Sequence, residues 1–472
     1  MGRLLPVAAA SPCCAEAALL DVPGRSNQLR AGTSSCRRTL CTWRGLPTGQ
    51  TASTLGSAGP IAARLHEGAR MPEGALDGIL VVDFTRVIAG PLCTQILGDL
   101  GAEVVKIEHP HGGDDTRAFA PVADGESAFF LAYNRNKQSV ALDLSVPAGA
   151  EIARALMGRA DVVVENFSTG VMERLGLDLQ AARRASPRLI TCSISGYGRT
   201  GPVADRPGYD PVVQAESGIM SVNGFPDREP IRSGLPMVDI MTGLTAGNAI
   251  LAALMARERS GKGQHVEVAL FDTGVAMTTH LAMGYLVAGV EPQRVGNAGI
   301  ATEPVGVFHA ADGAFQMTIS GERAWRKLAC DALGRPELLD APDFATNLAR
   351  LANREALHAR LNAIFGTESR QAWMARLRAA AVPAGLVRSI GEAMASEEVK
   401  GRQLVGTAPH ARLGTVANLR SPMHLSGTPV GEPAGAPTLG EHTAAVLETV
   451  LGLSSAEIAA LAAAGAVRGS AA

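Results

Sequence analysis

The most overt chemical pattern in this 472-residue chain is Gly196-Tyr197-Gly198-Arg199-Thr200-Gly201. A G-x-G-x-x-G after a strand wraps a pyrophosphate only when a helix opens at its end and turns free N–H groups toward the phosphates. Here Pro202, Pro207 and Pro211 follow, so no helix N-terminus can cradle phosphates there and the segment reads as a turn-rich loop. Gly261-Lys262-Gly263-Gln264 lacks the spaced first glycine and the hydroxyl of a phosphate loop, and reads as a helix-to-strand turn. The ten histidines are scattered and the body of the chain has no zinc-type Cys or His pair, so no metal is expected. Ser193-Ile194-Ser195-Gly196 falls short of a Gly-x-Ser-x-Gly elbow. What remains are three acids in loops beside strands and glycines, Asp83, Asp210 and Asp239. Each has a plain reading as a turn former or helix cap. Asp239, just ahead of a run of small residues, reads from its surroundings as an N-cap.

Alternating strands and helices must position these acids. Ile79–Phe84 is an apolar run, followed by a loop, Pro91, then Leu92, Ile96, Leu97 and Leu100 at helical spacing with Gly101 as the stop. Val104–Ile107 follows within a few residues, as in a parallel strand–helix–strand crossover. Ser139–Leu144, Val162–Val164 and Leu189–Ile194 extend the pattern, with a helix-like stretch at Ala148–Met157, and predict an α/β fold with a doubly wound parallel sheet. A long Ala- and Leu-rich helix is predicted over Gly243–Arg259, ended by Ser260-Gly261, before the alternating segment His265–Leu270. After Gly289 the character changes to a turn-rich stretch, short strands around Phe308–Ile319 and helices over Glu322–Leu333 and Arg354–Phe365, which predicts a smaller α+β domain.

Composition narrows the classes further. Lys plus Arg number 43 against 45 Asp plus Glu, for a net charge of −2, which lacks the basic excess of a nucleic-acid or membrane-surface binder. Hydrophobic residues at 46% fill a large core, and aromatics at 4% do not make a base-stacking surface. No run is read as approaching the ~20 apolar residues of a membrane helix. Residues 1–70 differ from the rest, with eight Arg, no Lys, and four of the seven cysteines, Cys13, Cys14, Cys36 and Cys41. Without an apolar secretory core this leader is a misassigned start upstream of Met71, an organelle transit peptide, or a disordered tail. Cys93, Cys192 and Cys330 read as free thiols of a reducing compartment, cytoplasmic, or mitochondrial if the leader is a transit peptide.

Several segments together carry a family signature. Asp83-Phe84-Thr85-Arg86-Val87-Ile88-Ala89-Gly90-Pro91 and then Leu100-Gly101-Ala102-Glu103-Val104-Val105-Lys106-Ile107-Glu108 resemble the opening of the class III CoA-transferases, the family of formyl-CoA transferase and carnitine CoA-transferase. Asn134-Arg135-Asn136-Lys137, Val164-Glu165-Asn166-Phe167, Ser195-Gly196-Tyr197-Gly198, Arg206-Pro207-Gly208-Tyr209-Asp210, Gly261-Lys262-Gly263-Gln264 and Leu439-Gly440-Glu441-His442-Thr443 follow in family order.

The resemblance implies an interlocked homodimer. Its Rossmann-like large domain would comprise residues 71–285 and a C-terminal part, 386–472, that returns to it, with a small domain over 286–385. It places the acyl-carrying nucleophile at Asp239 and CoA contacts at Val87, Ala89, Asn166, Phe167, Arg174 and Leu175. Coenzyme A is then a substrate, as a thioester, and no permanently bound cofactor is implied. A carboxylate of ordinary pKa, near 3.9, is ionised at neutral pH and can attack a thioester without a general base.

Two departures bear on substrate. Ile88 stands where formyl-CoA transferase has Gln, and Gly296-Asn297-Ala298-Gly299 stands in place of its poly-Gly loop. Both argue against oxalate as acceptor; the Gly296–Gly299 segment resembles that of relatives that handle succinyl-CoA and larger carboxylic acids, and succinyl-CoA as donor is what family habit implies. Arg232 is then a candidate to hold a distal carboxylate, with an equal reading as an ordinary surface or CoA-facing charge. The fold also houses α-methylacyl-CoA racemases, in which a His precedes the Asp at the position of Asp210. Here that residue is Tyr209, and a phenol is a poor base at neutral pH. Racemase-like proton transfer and non-catalytic CoA binding stand as the alternatives.

Overall fold

The computed structural model describes residues 74–468; the leader over residues 1–70, in any of its three readings, lies outside the described residues. Six strands pair in parallel: β1 (Leu80–Asp83), β2 (Glu103–Glu108), β3 (Lys137–Leu142), β4 (Val162–Glu165), β5 (Ile190–Ser195) and β6 (His265–Ala269). Their spatial order is β3-β2-β1-β4-β5-β6, the doubly wound arrangement in which strand order reverses beside β1. Registers such as Val82 to Val105 and Val82 to Val163 show β1 paired on both sides. A two-residue strand, Val467–Arg468, adds antiparallel to the β3 edge.

The strands β1, β2 and β4 are built on apolar runs because both sheet faces are covered there. On one face Val81, Val164, Cys192 and Ile194 pack under helices Ala89–Asp99 and Met237–Ser260. On the other, Val82, Val105, Val140 and Val163 meet helices Pro147–Arg159 and Thr443–Leu451. A separate core surrounds Phe308, Phe315, Trp325, Phe365 and Trp373. There the strands Val305–Ala310, Gly313–Thr318 and Ala384–Leu386 form an antiparallel sheet. The large parallel-sheet unit and this smaller unit together make a mixed α/β fold.

Three expectations need correction. Met237–Ser260, at 24 residues, is long and apolar enough by composition to cross a membrane, contrary to the sequence reading that no run came near. Its apolarity has a structural use, since Thr242, Gly243, Ala246, Ile250 and Ala253 form a buried stripe against the sheet and the Ala89–Asp99 helix. The helix also begins six residues before the predicted Gly243, which changes the place of Asp239 within it. The predicted helix over Glu322–Leu333 is a short α-helix, Glu322–Arg326, continued by a π-helical segment, Lys327–Ala332.

Candidate functional site

Connections leaving β1 and β4 diverge where the strand order reverses, and this opens a crevice at their carboxyl ends. The β1 wall of the crevice is the loop after Asp83, held by side chains at successive backbone groups. Thr85 N donates to Asp83 Oδ1 at 2.8 Å, and Arg86 N donates to Asn166 Oδ1 at 2.9 Å. Asn166 Nδ2 returns a bond to Arg86 O at 2.8 Å, so one amide side chain laces the two walls together. Phe167 follows on the β4 wall, half-buried, with the Arg86 guanidinium 5.5 Å from its ring centroid. The loop that carries Val87 and Ala89 is thus laced to the one that carries Asn166 and Phe167. Leu175 packs half-buried in the same core as Phe167, while Arg174, at the end of helix Val171–Arg174, is exposed.

Beneath this loop lies buried charge. Asp83 accepts from Thr85, from Thr94 Oγ1 at 2.7 Å and from Lys137 Nζ at 3.1 Å. Burial alone would raise the Asp83 carboxyl, yet the ammonium groups of Lys137 and Lys106 hold it below the usual range. Burial outweighs Asp83 at the other partner and brings the Lys137 ammonium down to about 8.

Asp239 sits on the neighbouring helix. The N-cap there is Pro236, which offers no capping side chain, and Asp239 is the third helical residue, so the N-cap reading of Asp239 does not hold. The cap comes from a distant residue instead. Asp210 Oδ2 accepts from Val238 N at 2.8 Å and Asp239 N at 3.2 Å, satisfying first-turn donors that have no partner within the helix. Asp210 Oδ1 accepts from Gln214 Nε2 at 2.6 Å, and Gln214 Oε1 accepts from Ser233 N at 2.8 Å. The pair grips the chain just before Asp239. A backbone contact between two glycines sets Asp210 in place, since a Cβ on Gly208 would lie 2.6 Å from Gly196 Cα. The G-x-G-x-x-G segment thus serves loop packing at the end of β5.

Burial first, and the Asp210 charge second, push the Asp239 carboxyl from 3.8 to about 7. The expectation of an ordinary, fully ionised carboxylate at neutral pH is corrected accordingly: a desolvated acid beside a second acid holds its proton longer. Asp239 is also close to the crevice. Gly243 lies one helical turn beyond it on the same face, and a Cβ there would meet Ala89 O at 2.6 Å. The start of the Ala89–Asp99 helix, which has no capping side chain, therefore lies against the turn that follows Asp239. Tyr133, at the end of helix Ala128–Tyr133, faces the same charge: burial and then Asp239 raise its phenol.

The remaining predicted residues stand apart. Tyr209 is 67% exposed. Arg232 is exposed, and its Nη1 donates to Ser233 O at 3.1 Å. Sequence reading did not single out Gln214, Tyr133, Lys106, Lys137 or Asp114. The signal for Lys106 was a cation within an otherwise apolar run, Val104-Val105-Lys106-Ile107, which demands a buried partner.

The model of CoA-transferase family III matches residues 76–443. The chain belongs to CoA-transferase family III. It is an enzyme of that family, and its relatives agree. Succinate–glutarate CoA-transferase of Agrobacterium fabrum is 41% identical over 385 residues, covering 79% of this chain and 94% of the relative. Succinyl-CoA:glutarate CoA-transferase of Mus musculus is 36% identical, covering 88% and 92%. Acetyl-CoA:oxalate CoA-transferase of Acetobacter aceti is 39% identical, covering 79% and 95%. Among solved structures, a CAIB/BAIF family protein from Brucella suis superposes with a TM-score of 0.74 at 39% identity, covering 80% of this chain and all of that one.

Proposed function

We propose that the chain transfers CoA from an acyl-CoA donor to a carboxylic acid, with Asp239 as the acyl and CoA carrier. The observation that carries this reading is the contact of the Asp239 helix with the crevice wall at Ala89, which puts a desolvated carboxyl beside the place where a doubly wound sheet binds ligands. Ionised Asp239 attacks the thioester carbonyl; the carbon–sulfur bond breaks, and CoA thiolate leaves behind an acyl-aspartyl anhydride. The thiolate then attacks the Asp239 carbonyl, releasing the donor acid and forming an aspartyl-CoA thioester. The acceptor carboxylate attacks that thioester, expelling thiolate and forming a second anhydride. Thiolate attack on the acceptor carbonyl gives the new acyl-CoA and restores Asp239. Burial favours the route, because an anhydride in a dry site is shielded from water.

Val87, Ala89, Asn166, Phe167, Arg174 and Leu175 are the proposed CoA contacts. Succinyl-CoA as donor and a dicarboxylic acceptor such as glutarate are favoured by two of the relatives named above. Arg232, whose side chain is exposed, is free to meet the distal carboxylate. Tyr209 in place of a histidine argues against racemase chemistry. We further propose a homodimer. Met283, Tyr285, Leu286 and Val287 of helix Thr279–Ala288 are between 54% and 77% exposed, an apolar surface of the kind a partner covers. Buried free Cys93 and Cys192 fit a reducing compartment, the cytoplasm, or the mitochondrion with a transit leader.

The test is hydroxylamine trapping. Wild-type protein is mixed with succinyl-CoA, quenched with hydroxylamine and mapped by mass spectrometry, alongside Asp239→Ala. A hydroxamate on Asp239 is expected. An unmodified Asp239 across a panel of acyl-CoA donors would refute the covalent reading.

A further inference from the structure

Val87 is a β-branched residue at φ 71°, a backbone region where such side chains are genuine outliers. A residue held there needs surroundings that over-determine it. The loop has them. Asp114, 1% exposed, accepts from Val87 N at 3.3 Å through Oδ1, and the same oxygen accepts from Thr116 N at 3.0 Å and Thr116 Oγ1 at 2.8 Å. Its other oxygen faces Lys106, 0% exposed, whose Nζ lies 2.9 Å away and also donates to Thr85 O at 2.8 Å. One buried ion pair thus bonds the loop at both ends of the strained turn, Thr85 O and Val87 N.

The pair is itself anchored. Asp114 N donates to Glu108 Oε2 at 3.0 Å, and Glu108 is fixed by Arg117 Nε at 2.8 Å and Ser139 Oγ at 2.6 Å. Burial would raise the Asp114 carboxyl, but the Lys106 charge and the Thr116 bonds outweigh it and hold it at about 2. Asp114 therefore stays anionic, with both oxygens committed to the protein. Neither residue has surface to offer a ligand.

We propose that Asp114, with Lys106 as its buried counter-ion, is a positioning residue for acyl-CoA: it holds the Thr85–Val87 turn in the shape that forms the crevice wall, without touching substrate. The inference rests on the reading of this crevice as the CoA site. It makes the wall a preorganised surface rather than one ordered by the ligand.

The experiment compares wild type, Asp114→Asn, Asp114→Ala and the double variant Lys106→Met/Asp114→Ala. Four quantities are read: CoA affinity by calorimetry, stability in urea, KM for acyl-CoA and KM for the acceptor acid. Asp114→Asn keeps an oxygen for Val87 N but takes from Lys106 its hydrogen-bonded anion, leaving only the more distant charges of Asp83 and Glu108, so it is less stable yet binds CoA within about threefold of wild type. Asp114→Ala weakens CoA at least about tenfold. The double variant, which leaves no unpaired buried charge, weakens CoA as much while regaining stability, and this serves if Asp114→Ala alone does not fold. KM for acyl-CoA rises in both alanine variants, while KM for the acceptor stays put.

Affinity within twofold of wild type in either alanine variant overturns the proposal, as does affinity that merely tracks stability across the set. Wild-type protein that binds no CoA overturns the crevice reading itself, and this inference with it.

Discussion

Replacing Asp210 with asparagine separates the two causes that raise the Asp239 carboxyl. Burial is the larger cause and the Asp210 charge the smaller, so the charge accounts for less than half of the rise from 3.8 to about 7. Two carboxylates roughly 6 Å apart in a medium of effective dielectric about 40 repel by about 1.4 kcal/mol, or about one pH unit. Asp210→Asn keeps an oxygen for the amides of Val238 and Asp239 while removing the charge, so helix capping survives. The first half-reaction, followed as CoA release from acyl-CoA under single-turnover conditions, requires ionised Asp239. Its rate in wild type should therefore fall as pH drops through about 7. In Asp210→Asn that acid limb should move down by about one unit, which makes the variant up to about fivefold faster than wild type at pH 6. The plateau at high pH should fall modestly, since a less basic carboxylate is a weaker nucleophile. A limb that stays in place, or moves upward, refutes the argument that Asp210 acts on Asp239 through charge.

Asp239→Asn should abolish turnover yet stabilise the fold at high pH. Folded wild type keeps a proton on this carboxyl that the unfolded chain releases between about pH 4 and 7, so wild-type stability falls as pH rises through that window. The variant should thus be more stable than wild type by about 1–2 kcal/mol at pH 8, after allowance for partial solvent exposure, and the gain should vanish below pH 4, as read by urea unfolding. Gly243→Ala would force a methyl to within 2.6 Å of Ala89 O. Despite better helix propensity, it should cost about 1–2 kcal/mol and lower activity by shifting the crevice wall away from Asp239. Lys137→Met would strip Asp83 of its hydrogen-bonded counter-ion inside the core and should cost about 3 kcal/mol in urea titrations at pH 7.

The sheet was legible because its physics is local in sequence. Strands buried on both faces must be unbroken apolar runs, and Val81-Val82, Val104-Val105 and Val162-Val163-Val164 are such runs. The start of the Asp239 helix was not legible, because its cap is Asp210, 29 residues upstream of Asp239 in sequence. Without that partner, Pro236 reads as a break and Asp239 as a cap. The ionisation of Asp239 was hidden for the same reason, since burial and a neighbouring charge are tertiary facts. Neither Lys106 nor Lys137 was singled out from the sequence. Their partners Asp114 and Asp83 lie 8 and 54 residues away in the chain, and only the folded sheet brings them under the Val87 loop.

The strand Val467–Arg468 carries a consequence for biosynthesis. It pairs with Leu142 and Ala141 of β3, and Thr443 Oγ1 accepts from Ala141 N across 302 residues of sequence. The helix Thr443–Leu451 supplies Val446, Leu447 and Val450 to the core beneath Val140 and Leu142. A ribosome making this protein therefore emits most of the parallel sheet early but cannot finish its β3 edge, or complete the cover that helix Pro147–Arg159 begins on that face, until residues 443–468 emerge. Until then the nascent chain presents an unpaired edge and a partly uncovered apolar face, the features that recruit other strands and chaperones. Completion of the sheet is thus deferred to the emergence of residues 443–468, and a chain stopped before Thr443 would leave the β3 edge unpaired and that part of the face open.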